Sequence, residues 1–264
     1  LFLSSVDFSR ALDMSCGRSL SRGPQRYIFG GRRAGEGEFP WMVFVSLQSN
    51  KYNGHYCGGS IITAYFVLTA AHCLDSFKSK CLHDRSIKSR SLRYHSCILQ
   101  VREFIIHEGY DSHLKNDIAL LRLMEPFDLE KSKGHIGTVC LPIEDVKPNT
   151  TITVSGWGRL TEYGRLPNVL RAVDVRVRQN SFCSIGEKKF IPSTMFCAGN
   201  NVKDTCDRDS GSPAVQKNRS VAFQVGIVSF GGPCGGDHGY YTRVASYRKW
   251  IEYSIDTAHV ILSK

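Results

Sequence analysis

From Ile28 onward the chain is written in short apolar or alternating runs, divided by Gly, Pro and Asn. Met42–Leu47, Ser60–Ile62, Phe66–Thr69, Ile98–Ile106, Ala119–Leu123, Ile152–Ser155 and Val225–Phe230 read as strands. Val173-Asp174-Val175-Arg176-Val177 alternates cleanly, the pattern of a strand with one wet face. Asn53-Gly54 between two such runs predicts a hairpin turn. Many short strands with turn signals between them predict an all-β sandwich or barrel. One helix stands out near the C-terminus, where Val244, Tyr247, Trp250, Ile251 and Ile255 recur at helical spacing on one apolar face. That stripe is read as core packing. Residues 1–27 are polar and basic with little periodicity, and read as an arm.

Composition narrows the class. A chain of 264 residues is one large domain or two small halves, and 42% hydrophobic with 22% charged residues fits a folded protein. No apolar run approaches the roughly 20 residues of a membrane span. The ten cysteines include no C-x-x-C and no zinc-type spacing, so disulfides and an oxidising, extracellular compartment are expected. The sequons at Asn149 and Asn218 agree with secretion and glycosylation. Leu1–Val6 reads equally as the tail of a secretory signal or as a surface segment.

The net charge of +10 favours anionic partners. Much of it lies in one window, Lys78, Lys80, Arg85, Lys88, Arg90 and Arg93. A solvated face is the plain reading of that window. An anionic polysaccharide or acidic protein surface is the binding alternative. No nucleic-acid motif is present.

Three stretches carry candidate chemistry, and each alone has an ordinary reading. Cys206-Asp207-Arg208-Asp209-Ser210-Gly211-Ser212-Pro213 is at first sight a polar turn. His72 ends an apolar run beside Cys73, and a lone histidine at a strand end is usually structural. Asp117 leads directly into Ala119–Leu123, where a buried partner or a turn cap would account for it.

In the order His72, Asp117, Ser210, with their flanking residues, the three resemble the chymotrypsin-like serine proteases. The resemblance runs over roughly residues 28–255. It includes Ile28-Phe29-Gly30-Gly31, Phe39-Pro40-Trp41, Cys57-Gly58-Gly59-Ser60, Ser155-Gly156-Trp157-Gly158, Met195-Phe196-Cys197-Ala198-Gly199 and Tyr241-Thr242-Arg243-Val244. It implies two six-stranded antiparallel β-barrels dividing near Pro148 and a C-terminal helix. The arm would be 1–27, the protease domain 28–255 and a tail 256–264. It also implies a secreted endopeptidase without a cofactor, acting on protein and peptide substrates by an acyl-enzyme mechanism. Ser210 would be the nucleophile, His72 its base, Asp117 the group that orients His72, and the N–H groups of Arg208 and Ser210 the oxyanion hole.

The same resemblance makes Asp204 the floor of the specificity pocket, with Gly231 and Gly239 on its walls and Ser229–Gly231 pairing with substrate backbone. Cleavage after Arg or Lys follows. It pairs Cys57 with Cys73, Cys183 with Cys197, Cys206 with Cys234 and Cys16 with Cys140, leaving Cys81 with Cys97 to close the basic window as a loop. It also implies a zymogen, cut by an activating protease before Ile28 so that the new amine reaches Asp209. Four features depart from the pattern. Tyr27, not a basic residue, precedes Ile28. Arg208 and Ser212 stand where relatives have glycine, so Ser212 is expected to crowd backbone packing beside the nucleophile. The segment after His72 is basic where calcium-binding members carry glutamates, so no metal is expected. These departures leave a second reading, an impaired relative acting as a binding or regulatory protein.

Overall fold

The computed structural model describes residues 16–20, 31–49, 52–75, 84–91, 95–159, 165, 167–199, 209–231 and 237–260. Of these, 48–49, 52–55, 84–91, 95–98 and 259–260 are described by backbone alone. Ile28, Cys81, Asp204, Cys206, Arg208 and Cys234 lie outside the described residues, as does the side chain of Cys97.

The apolar runs become two barrels. In the first, β2 (Met42–Ser49), β3 (Tyr52–Ile61), β4 (Phe66–Thr69), β5 (Asp84–Ser91), β6 (His95–Ile106) and β7 (Ala119–Leu123) close in the order β2-β3-β4-β7-β6-β5. In the second, β8 (Thr151–Gly156), β9 (Arg171–Val177), β10 (Met195–Gly199), β11 (Pro213–Asn218), β12 (Val221–Gly231) and β13 (Gly239–Arg243) form a ring closed by the β8–β9 pairing. The two-residue β1 (Arg32–Arg33) adds to the outside of β9. Closure pairs most of each strand on both sides, which is how all-β chains limit edge association.

β4 and β7 match their predicted bounds; every residue in them is buried, and they read as apolar runs broken only by Thr69 and Arg122. Two expectations fail. Asn53-Gly54 is not the hairpin turn, because Tyr52 already pairs with Ser49; the pair falls instead where the register slips between Leu47 and Ser49. A Gly there suits the bulge that the slip requires. The basic window is not a loop throughout, since β5 occupies 84–91 and pairs with both β2 and β6. Ladder bonds on both sides hold a segment whose side-chain pattern does not announce a strand.

The predicted helix begins with a 3₁₀ turn, Val244–Tyr247, and continues as an α-helix over Arg248–Val260, five residues past the expected tail boundary. Val244, Tyr247, Ile251 and Ile255 are buried and join the same apolar cluster as Leu68, Leu120 and Leu121 of the first barrel. Burial of a side chain such as Ile251 contributes roughly 1.5–3 kcal/mol. The helix of the second half of the chain therefore clamps the first barrel.

The arm is tied down at Cys16, which is bonded to Cys140. Gly17 donates to Thr138 O at 2.7 Å and accepts from Ala222 N at 3.0 Å, and Leu20 N donates to Gly37 O at 2.8 Å. Downstream, Arg32 and Glu38 form a buried two-pronged ion pair, and Gly35 N adds a bond to the same carboxylate at 2.8 Å. That pair fixes the turn that follows the Ile28 segment.

Candidate active site

The seam between the barrels brings together residues from four places in the chain. β4 ends against a short helix, α1 (His72–Asp75), so His72 sits at its first position with its backbone N–H unpaired within the helix. That N–H donates to Asp117 Oδ1 at 2.9 Å, and His72 Nδ1 donates to Asp117 Oδ2 at 2.8 Å. Asp117 precedes β7 at the end of a loop ordered by Asp111, whose Oδ1 accepts from His113 N at 2.9 Å and Lys115 N at 3.1 Å. Asp117 is 1% exposed, and it is far from isolated. Ser229 Oγ of β12 donates to its Oδ2, and Thr242 Oγ1 of β13 donates to its backbone carbonyl at 2.7 Å. Three donors, His72 N, His72 Nδ1 and Ser229 Oγ, thus offset the cost of burying the carboxylate.

This geometry fixes the imidazole. Nδ1 carries the proton, because it faces a carboxylate that also receives two other donors. Nε2 is left with its lone pair toward the seam. Burial of the ring pushes the His72 pKa down, but the Asp117 charge and hydrogen bond raise it more, and it ends above the ordinary histidine value. Among the described residues no hydrogen bond joins His72 Nε2 to Ser210; Cys73 Sγ lies at 3.9 Å from Nε2. Such contacts commonly tighten only when substrate is bound.

Ser210 is half-buried in the turn before β11 and pinned from both barrels. Gly58 N of β3 donates to its carbonyl at 2.8 Å, and the next residue, Gly211, donates to Val228 O of β12 at 2.8 Å. Gly211 has φ +78°, and a Cβ there would run into Thr69 and Gly58. Only glycine fits. Asp209 turns the other way, and its Oδ1 accepts from Gly158 N at 2.8 Å. A Cβ on Gly156 or Gly158 would overlap that carboxylate, so the two glycines of Ser155–Gly158 make room for it.

The residues expected to form pocket walls also meet. Gly231 and Gly239 are direct cross-strand partners on β12 and β13. β11 pairs with β12 only as far as Ile227, so the edge from Ser229 to Gly231 has no strand beside it among the described residues. Phe230 stacks on Tyr240 at 4.6 Å between ring centres.

The family model described as Trypsin matches residues 28–251. The chain belongs to the trypsin family of serine proteases. Relatives include Transmembrane protease serine 11G of Rattus norvegicus and of Mus musculus, each 33% identical over 260 residues. Transmembrane protease serine 11C of Mus musculus is 36% identical over 257 residues. These alignments cover 91–95% of this chain and 56–60% of the relatives, so the chain spans somewhat over half their length. A solved chain titled "Structure of GrC" superimposes with a TM-score of 0.76 at 27% identity, over 86% of this chain and 99% of that one. Among the described residues, no helix is long and apolar enough to cross a membrane.

Within this trypsin-family site, three contributors escaped the sequence reading: Thr242, Gly58 and Gly158. Thr242 lies in the quoted Tyr241–Val244 motif, but its partner is 125 positions away. Ser229, expected only to face substrate, also holds Asp117. The disulfides Cys16–Cys140, Cys57–Cys73 and Cys183–Cys197 are formed as expected. The Cys81–Cys97 and Cys206–Cys234 pairs fall outside the described residues. Donor atoms of Cys57, His72 and Cys73 lie within 4.8 Å of one another, a metal-like grouping by distance. The two sulfurs are bonded to each other, however, which leaves the imidazole alone as a ligand.

Ser212 is housed in the seam against Gly58. It is 1% exposed, and its Oγ fills the space that a side chain on Gly58 would need. Its hydroxyl is buried and has no hydrogen-bond partner among the described residues. An unmet buried hydroxyl costs roughly 1–3 kcal/mol. Ser212→Ala therefore raises Tm by about 2–4 °C, the shift that about 1 kcal/mol produces in a domain of this size. Calorimetry of the two proteins checks this, and an unchanged or lower Tm would show that the hydroxyl is satisfied.

Proposed function

We propose that this trypsin-family protein is an extracellular endopeptidase that cuts after Arg or Lys, made as a precursor and switched on by a cut before Ile28. The observation that carries the reading is the two-point grip of Asp117 on His72, which leaves Nε2 free to accept a proton. In the proposed reaction Ser210 Oγ attacks the scissile carbonyl carbon while its proton passes to His72 Nε2. The carbonyl oxygen takes the negative charge, held by the N–H groups of Arg208 and Ser210. The C–N bond then breaks, and His72 gives the proton to the departing amine. Water repeats the sequence on the acyl-enzyme and restores Ser210.

Cationic specificity is supported by Asp204 in the sequence and by the side-chain-free pairing of Gly231 with Gly239, which leaves room for a long side chain. A buried carboxylate at the floor would select Arg or Lys over neutral residues. Extracellular placement is supported by the formed disulfides. Activation through Ile28 is supported by Asp209, whose carboxylate is seated against Gly156–Gly158 beside the nucleophile.

The test is a panel of fluorogenic peptides that differ only at the residue before the cut, presented to protein cleaved before Ile28. Arg and Lys peptides are expected to be turned over, with Asp204→Ser abolishing that preference. Turnover of neutral peptides alone would overturn the specificity. Absence of both turnover and fluorophosphonate labelling at Ser210 would favour the impaired, binding-protein reading.

A further inference from the structure

Away from the catalytic seam, a cavity of about 390 Å³ opens between the segment that follows Cys140 and the hairpin of β11 and β12. Its size is that of a small-ligand cleft. Pro142, Phe223 and Val225 make its apolar side, with Ile143 at the rim. Ile143 is 81% exposed, the most exposed large apolar residue among those described. Gln216, Thr150 and Lys147 supply hydrogen-bonding groups around that surface. Nothing in the proteolytic reading uses this groove.

One lining residue is chemically distinctive. Asn218 ends β11 and is the first residue of the sequon Asn218-Arg219-Ser220, which forms the tip of the hairpin. Asn218 is exposed, and Ser220 Oγ accepts a bond from Arg18 of the arm at 3.0 Å. The second sequon, at Asn149, differs. Asn149 itself is not among the described lining residues, although its neighbour Thr150 is.

We propose that the groove is the seat of the N-glycan attached to Asn218, with the first N-acetylglucosamine packed over Phe223 and Ile143. The pyranose ring has an apolar face and a hydroxyl-bearing edge, which match an apolar floor rimmed by amide, hydroxyl and ammonium groups and by the carboxylates of Glu144 and Asp145. Attachment at the groove's own wall raises the local concentration of sugar far above that of any free ligand, so individually weak contacts suffice to hold it. The seated sugar covers Ile143 and Phe223. It also reinforces the wall beside the arm, because Ala222, next to Phe223, donates its N–H to Gly17 O of the arm at 3.0 Å. The glycan at Asn149 has no such seat and extends into solvent.

This proposal rests on the reading of the chain as a secretory-pathway protein. Protein expressed in a glycosylating eukaryotic host is analysed by glycopeptide mass spectrometry and by hydrogen exchange. The expected result is a glycan at Asn218 that is less processed than the one at Asn149. A native endoglycosidase releases it more slowly, by about tenfold, the factor that one contact of hydrogen-bond strength supplies. Asn218→Gln speeds amide exchange across 142–147 and 221–225, whereas Asn149→Gln does not. Phe223→Ser keeps the glycan but removes its protection from release. If Asn149 is occupied and Asn218 empty, the proposal is overturned and the compartment reading stands. If neither is occupied, both fall. Equal processing and equal release at the two sites, with exchange in 142–147 unchanged by Asn218→Gln, also overturns it and leaves the groove to a protein occupant.

Discussion

Replacing Ser210 with alanine lowers kcat by about 10⁶-fold and leaves the fold intact, the scale on which loss of a triad nucleophile acts. The bonds that hold this position belong to its backbone. Gly58 N donates to the Ser210 carbonyl, Gly211 N donates to Val228 O, and Ser212 N donates to Asp209 O at 2.9 Å. Alanine keeps all three, and it keeps Gly211 in the conformation that only glycine accepts. What disappears is the oxygen that the proposed mechanism has His72 deprotonate. The variant should therefore bind Arg-containing peptides with unchanged affinity, unfold at the parental temperature and fail to react with a fluorophosphonate. Residual activity arises from substrate binding and the oxyanion donors alone. The measurement is single-turnover kinetics beside calorimetry, on protein cut before Ile28. If the variant retained more than a trace of the parental rate, Ser210 would not be the nucleophile. If the parent itself were inert, the impaired-relative reading would gain.

His72 and Asp117 of the candidate site were legible because each is bracketed by strongly patterned sequence. His72 follows β4 and Asp117 precedes β7, two strands so fully buried that their apolar runs coincide with their limits. The geometry between them was not legible. Sequence order says nothing about what holds Asp117 in the seam, and part of the answer lies in Ser229, on its carboxylate, and Thr242, on its backbone carbonyl, more than a hundred positions away. Both sit in strands whose neighbours, rather than their own periodicity, decide which way a hydroxyl faces.

The missed elements have a related cause. β5 carries only one apolar residue, Ile87, and is a strand because β2 and β6 both lend it ladder bonds. β13 reads Gly-Tyr-Tyr-Thr-Arg without alternation because every residue in it is buried. Asn53-Gly54 has the composition of a turn, yet Tyr52 pairs with Ser49 first, and the permissive glycine is spent on a bulge. Local preference predicted the kind of irregularity and misjudged its place. Ser212 is the converse case. Its misfit beside the nucleophile was visible in the sequence, while its accommodation depends on Gly58, a residue on the other barrel.

Asp117→Asn is expected to lower kcat by about 10⁴-fold, the loss associated with this substitution in the family's template triad. The hydrogen bonds of this site explain why. The backbone N–H of His72 is a fixed donor, so the single oxygen of an asparagine must take the Oδ1 position. Its NH₂ then faces His72 Nδ1 and the Ser229 hydroxyl. Facing a donor, Nδ1 must become an acceptor, and the ring proton moves to Nε2. A protonated Nε2 cannot take the proton of Ser210. The same exchange moves the pH profile. In the parent, burial alone would lower the His72 pKa, but Asp117 overcomes it and raises the value above about 6.5. Activity needs the neutral ring, so the parent loses activity as pH falls through that raised pKa. Without the carboxylate the downward effect of burial is unopposed, and the acid limb of the variant moves to lower pH. The stability that protonated His72 gains from Asp117 is present below the unfolded value of about 6.5. It is lost as pH rises through the folded value, so the variant is comparatively less stable on the acid side. Titration of the His72 ring by NMR, beside kcat/KM against pH for both proteins, checks the sign. An acid limb that stayed in place or moved to higher pH would mean that Asp117 is not the charge that sets the base.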